Sequence, residues 1–131
     1  MALPQLHVPL QPKRILVVDD EPLVAQTIRR VLVTEGHTVE LADSGELALS
    51  LFKEGQFDLV ITDFILGGMD GLELAQAIKA ASPQKPVILI TAFAERITSS
   101  TGKVSNVDFL MRKPFAVAEL QKALRSVFPT N

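Results

Sequence analysis

Four short apolar runs along the chain each end on polar side chains. Ile15 to Val18 runs into Asp19-Asp20-Glu21, Leu59 to Ile61 into Thr62-Asp63, Val87 to Ile90 into Thr91, and Phe109 to Met111 into Arg112-Lys113. Runs this short and this continuously apolar suit strands buried on both faces, as in a parallel sheet. Segments with helical periodicity lie between them. Pro22 suits a first helical turn, Val24, Ile28, Val31 and Leu32 form an apolar stripe, and Gly36 suits the C-terminal cap. Thr38 to Leu41 reads as a further short strand. Asp43 with Glu46 three residues later predicts a capping box, followed by Leu47, Leu51 and Phe52 on one face and Gly55 as terminator. The same device recurs at Asp70 and Glu73, ahead of Leu74, Ala75 and Ile78, with Ser82-Pro83 ending the helix. Pro114 precedes a last helix in which Leu120, Leu124 and Val127 share a face before Pro129 stops it.

One element is weak. Between Glu95 and Ser105 the chain has Thr98, Ser99, Ser100, Thr101 and Gly102, all poor in a helix interior, which predicts a fourth helix that is short or mobile. The order is β-α repeated five times, and that implies a parallel sheet covered on both faces through right-handed crossovers. In such a sheet ligands bind at the carboxyl edge of the strands. Three carboxylates, a hydroxyl and an amine therefore meet at one edge, assembled from four distant segments of the chain.

Composition narrows the setting. The 131 residues fit one domain, and 47% hydrophobic content is enough for a single core. A net charge of -2, with Lys and Arg scattered, argues against direct nucleic-acid binding. The absence of cysteine excludes disulfides, thiolate metal sites and cysteine nucleophiles, and suits a cytoplasmic protein. Apolar stretches are too short for membrane insertion. Residues 1–12 hold three prolines and no cleavage-site pattern, and read as a flexible N-terminal arm; residues 13–128 read as the folded domain and 129–131 as a tail. His7 and His37 have no acidic neighbours at ligand spacing and read as a tail residue and a turn residue.

Three carboxylates within a few ångström repel one another, and each raises the others' pKa unless a cation intervenes. Oxygen-only ligands without nearby His or Cys favour Mg2+, which keeps several waters and shares positions with phosphate oxygens. Phosphoryl transfer needs an oxygen nucleophile and positive charge on the equatorial oxygens, which Asp63, such a metal and Lys113 supply. Asp63 is the best nucleophile, because it follows the central strand while the adjacent Asp19 and Asp20 suit metal binding from the side. The product is an aspartyl phosphate. Thr91 can donate its hydroxyl to one phosphoryl oxygen.

With the acidic pair, the single Asp, the Thr-Ala and the Lys-Pro-Phe at these spacings, the chain resembles the receiver domain of bacterial two-component response regulators over nearly its whole length. The resemblance implies a flavodoxin-like, doubly wound five-stranded parallel sheet of order 2-1-3-4-5 in a single domain. It implies that Asp63 is the phosphoacceptor, Asp20 a direct Mg2+ ligand, Asp19 a ligand through water and Ile65 a ligand through its backbone carbonyl. Lys113 would pair with the phosphoryl group, the Lys113-Pro114 bond would be cis, and Thr91 would act as the switch. The implied donor is a phosphohistidine on a sensor histidine kinase or a phosphotransfer domain. The implied output is a downstream effector or a self-dimer, engaged through the fourth helix, fifth strand and fifth helix. Such a domain catalyses its own phosphorylation and dephosphorylation but serves mainly as a signalling switch.

The chain departs from the family pattern in places. Leu110 stands where an aromatic switch residue is usual, and Phe109, one position earlier, should point to the opposite face. Leu66-Gly67-Gly68 replaces a more rigid Met-Pro loop, and Ile65 and Phe93 flank the site with apolar side chains. Taken singly, Asp20 can be a helix cap, Thr91 a strand-end hydroxyl and Lys113 a solvated charge. Jointly, complementary groups at four strand ends defeat that account. An aspartate-dependent phosphohydrolase would need a second Asp where Ile65 stands. A purely structural receiver would lack part of the acidic set, and a flavin protein would need stacking aromatics, whereas the chain has no Trp or Tyr.

Overall fold

Strands that are apolar on both faces must be covered twice, and the chain follows each strand with a helix that does so. In the computed structural model, which describes residues 10–98 and 104–129, the strands are β1 (Arg14–Val18), β2 (Thr38–Ala42), β3 (Leu59–Asp63), β4 (Val87–Thr91) and β5 (Phe109–Arg112). They form one parallel sheet in the order β2-β1-β3-β4-β5. The intervening helices are α1 (Pro22–Thr34), α2 (Gly45–Glu54), α3 (Gly71–Ala81), α4 (Ala94–Ile97) and α5 (Val117–Val127). The expected architecture and strand order are both found.

Side-chain alternation divides the core into two layers. Ile15, Val17, Ile61, Ile88, Ile90 and Met111 pack on one face with Ile28 and Leu32 of α1 and Leu120 and Leu124 of α5. Leu16, Val18, Val60 and Val87 pack on the other with Ala48 of α2 and Leu74, Ala75 and Ile78 of α3. Phe109 joins the first layer, so Leu110 points to the opposite face, as its place in the alternation requires. Leu10 also packs against the first layer, so the segment expected as a free arm is anchored at its end; residues 1–9 of that expectation, His7 included, lie outside the described residues.

The Asp70–Glu73 capping box closes as expected, each carboxylate accepting the other residue's N–H, at 2.8 and 3.0 Å. The Asp43–Glu46 box does not form. β2 runs on to the buried Ala42, whose carbonyl accepts the Asp19 N–H, and Asp43 is left in the turn. Ser44 becomes the N-cap instead, its hydroxyl accepting from the Leu47 N–H at 3.1 Å. The inward face of α2 shifts with it: Ala48 is buried, while Leu47, expected inside, is exposed. The fourth helix is a single turn, which meets the expectation of a short element; residues 99–103 lie outside the described residues.

At the amino edge of the sheet, three residues that immediately precede strands do the same work. Asp58, before β3, donates its N–H to the Arg14 carbonyl and accepts the Arg14 N–H on Oδ2, at 2.7 and 2.8 Å. Asp108, before β5, does this for Val87 at 2.8 Å in both directions, and also accepts from Lys79 Nζ. His37, before β2, accepts the Lys13 N–H on Nδ1 at 3.0 Å. Each side chain satisfies a strand-end donor that would otherwise lack a partner. His37, expected as a simple turn residue, is thus a buried acceptor with 5% of its surface exposed.

Burial lowers the His37 pKa and Lys13 adds to this, against an opposing effect of Glu35. The unfolded chain therefore takes up this proton at a higher pH than the folded one. The stabilisation is complete above the unfolded value of about 6.5 and is lost as pH falls through the lower folded value. Urea titrations from neutral to mildly acidic pH should show the parent losing stability relative to His37→Asn, whose amide oxygen can accept the same N–H without titrating. Parallel pH profiles for the two proteins would contradict this role.

Candidate functional site

The chain reverses direction across the sheet between β1 and β3, and the crevice at the carboxyl ends of these strands is where such a sheet offers a site. Asp19 follows β1, Asp63 ends β3, Thr91 ends β4 and Lys113 follows β5. Carboxylate oxygens of Asp19, Asp20, Glu21 and Asp63 lie within 4.8 Å of one another. Lys113 Nζ stands among them, 3.2 Å from Asp63 Oδ2, 3.6 Å from Glu21 Oε1 and 3.7 Å from Asp19 Oδ2. A cleft of about 380 Å³ opens over the group, walled by Asp20, Asp63, Thr91 and Lys113 and rimmed by the exposed Ile65 and Phe93.

Backbone amides orient the two buried carboxylates. Asp63 Oδ1 accepts the Phe64 N–H and Asp19 Oδ1 accepts the Glu21 N–H, both at 2.9 Å. Asp19 Oδ2 is buried with no hydrogen-bond partner among the described residues. Thr91 is buried, and its Oγ1 accepts the Phe93 N–H at 2.9 Å, which leaves its own proton to donate. Gly71 opens α3 directly against β3: a Cβ there would stand 2.2 Å from the Asp63 carbonyl oxygen. Its N–H donates to the Phe64 carbonyl at 2.8 Å, which fixes the backbone just past Asp63.

Burial raises the Asp63 pKa above the ordinary carboxylate value, despite the opposing Lys113 ammonium and Phe64 N–H, and Asp20 pushes it further up. Burial likewise raises that of Asp19, against the Glu21 N–H, and the Asp63 charge adds to it. Burial alone would lower the Lys113 pKa, but the facing Asp19, Asp63 and Glu21 carboxylates raise it overall, and the cation is retained. Among the described residues, a single ammonium faces four carboxylates.

The structure brings Asp19, Asp20, Asp63, Ile65, Thr91 and Lys113 around one cleft. Leu110 is not part of its wall; it pairs with Leu89 on β4, two residues before Thr91. The Lys113-Pro114 bond is cis, as expected. Glu21 had no assigned role in the sequence reading, yet it contacts Lys113; its position next to the Asp pair was the available signal. The Phe64 and Glu21 amides, which aim the carboxylates, leave no trace in side-chain identity. No helix among the described residues is long and apolar enough to cross a membrane.

Residues 15–125 match the family model of the response regulator receiver domain. The chain belongs to that family. Among relatives of this receiver domain, the transcriptional regulatory protein TrcR of Mycobacterium tuberculosis is 33% identical over 126 residues, covering 95% of this chain and 49% of TrcR. Response regulator MprA of Mycolicibacterium vanbaalenii is 34% identical over 116 residues, covering 88% of this chain and 50% of MprA. The receiver chain spans about half the length of the curated relatives it matches. Response regulator TrrA of Thermotoga maritima, solved in complex with Mg2+-BeF, superposes with a TM-score of 0.80 at 35% identity, covering 88% of this chain and 98% of that one.

Excess negative charge in the receiver site opposes folding when no cation is supplied. Asp19→Asn keeps the acceptor for the Glu21 N–H and removes a buried charge, placing a neutral NH2 donor among the remaining carboxylates where Oδ2 stood. In metal-free buffer at neutral pH the variant should melt roughly a few degrees above the parent. Added Mg2+ should narrow the gap. Equal melting temperatures without metal would refute this electrostatic account.

Proposed function

We propose that this receiver domain is a phosphorylation switch with Asp63 as its acceptor. The observation that carries the reading is the buried Asp63 carboxylate, held by the Phe64 N–H and 3.2 Å from Lys113, at the floor of an acidic cleft. An Asp63 oxygen attacks the phosphorus of a phosphohistidine, the P–O bond of a mixed anhydride forms, the P–N bond breaks, and the imidazole leaves with the bonding pair and takes up a proton. Lys113 is placed to transfer its contact from Asp63 Oδ2 to a phosphoryl oxygen, and Thr91 to donate its hydroxyl to another.

The donor set suits Mg2+. All side-chain ligands are carboxylates, and the unpartnered Asp19 Oδ2 lies among them. Asp20 and Asp63 would hold the ion directly, Asp19 through water and Ile65 through its backbone carbonyl. When bound, Mg2+ neutralises the crowded carboxylates and the incoming phosphoryl oxygens. TrrA was solved with Mg2+-BeF, which supports the same pairing of metal and phosphoryl chemistry here.

The donor is a sensor histidine kinase or a phosphotransfer domain in the cytoplasm. An apolar hollow beside the cleft, lined by Leu23, Val24, Pro114 and Phe115, gives such a protein a footing next to Lys113. Thr91 couples the acceptor to the output face. Withdrawing its Oγ1 from the Phe93 N–H loosens the start of α4, and Leu110 can repack on the same face of the sheet. Glu95 of α4 and Arg112 of β5 form an ion pair across the face that a downstream effector or a second copy would meet. Residues 13–128 serve as the working unit, with Leu10 anchoring the segment that leads into it.

Incubation with a small phosphodonor and Mg2+, read by intact mass, should add one phosphoryl group to the parent and none to Asp63→Asn, with a chelator abolishing the gain. Equal gain on both proteins would assign the acceptor elsewhere. Ile65 and Phe93 rim the cleft with apolar surface that limits water at the anhydride. Replacing both by polar residues should shorten the phosphoprotein half-life by several-fold. An unchanged decay rate would remove the shielding role.

A further inference from the structure

The Glu46 carboxylate, released from capping its own helix, accepts the Met69 N–H at 3.2 Å. Met69 belongs to the loop that leaves the acceptor strand and carries Ile65 along the cleft wall before α3 begins. Two close approaches frame this contact. Gly68, at φ +85°, would bring a Cβ within 3.1 Å of Glu46 Oε2, and a Cβ on Gly45 would meet Met69 Sδ at 3.0 Å. The loop is thus pressed onto the first turn of α2 at residues 68 and 69.

Elsewhere the loop is secured near its ends and by one buried side chain. The Phe64 N–H donates to the Ile90 carbonyl at 2.9 Å, the Asp70–Glu73 box closes the far end, and Leu66 is buried. Among the described residues, the bond to Glu46 is the one hydrogen bond made by residues 65–69. With Gly67 and Gly68 in sequence, this stretch has more backbone freedom to lose than any other side of the cleft.

We propose that Glu46 is a positioning residue for the phosphoacceptor site. Its carboxylate holds the β3–α3 loop so that the Ile65 carbonyl is presented beside Asp20 and Asp63 before a cation arrives. This rests on the reading of the site given above. The ordering of a glycine-rich loop is completed on folding, and binding does not have to supply it. The role needs an acceptor and not a charge, so glutamine serves in place of glutamate and alanine does not.

The test uses the full chain as parent, Glu46→Ala and Glu46→Gln. Amide exchange is read at Met69 without divalent cation, and Mg2+ alone is titrated by backbone chemical shifts. Glu46→Ala should speed Met69 exchange and weaken Mg2+ binding by about three- to tenfold. Glu46→Gln should match the parent in both and melt with it, while Glu46→Ala should lose no more thermal stability than one exposed hydrogen bond contributes, so that its effect stays local to the loop. Parent-like Met69 protection and Mg2+ affinity in Glu46→Ala would overturn the proposal, as would a Glu46→Gln protein as impaired as Glu46→Ala. A parent that binds no Mg2+ would overturn the site reading and this role with it. That failure is told apart because Met69 exchange is measured without metal.

Discussion

Asp19 and Asp63 are buried, and they share a cluster with Asp20 and Glu21 in which carboxylate oxygens lie within 4.8 Å. Charges so placed lose solvation and repel one another, and the single ammonium of Lys113 offsets only part of this. The rest of the domain has to hold this arrangement in place. Two apolar layers clamp the strands that carry the acids, and backbone amides at Phe64 and Glu21 set their angles. A folded state that keeps a costly charge cluster is poised to gain whenever a cation or a phosphoryl group alters the balance. The same repulsion that weakens the resting domain is what a bound cation would relieve.

The sheet makes this possible because parallel strands end together. All the strands point one way, so residues far apart in sequence arrive at one edge without any long loop to arrange them. Thr91 stands where the cleft meets the turn into α4. Its oxygen holds the first amide of the turn into α4, and that helix is a single turn with little of its own to resist a shift.

The sheet was legible in the chain because strands buried on both faces announce themselves by continuous apolar runs, and Asp19, Asp63, Thr91 and Lys113 by closing those runs. The register of α2 was not legible. Asp43 and Ser44 are both competent caps, and the choice between them depended on how far β2 extends to pair with β1, a tertiary matter that local spacing does not record. The burial of His37 was not legible for a related reason, since its partner is the backbone of Lys13, just before β1 and distant in sequence. The contacts of Glu21 with Lys113 and of Glu46 with Met69 likewise join distant segments.

The amino edge of the sheet has a consequence for where this domain tolerates extra sequence. His37, Asp58 and Asp108 each stand directly before a strand and clasp the neighbouring one. Peptides spliced in after Gly55, ahead of the buried Phe57, would loop out into solvent without disturbing the Asp58 clasp. The same peptides placed between Asp58 and Leu59 would part the acceptor from its strand and shift the pairing register, so the point of grafting decides whether the sheet keeps its order.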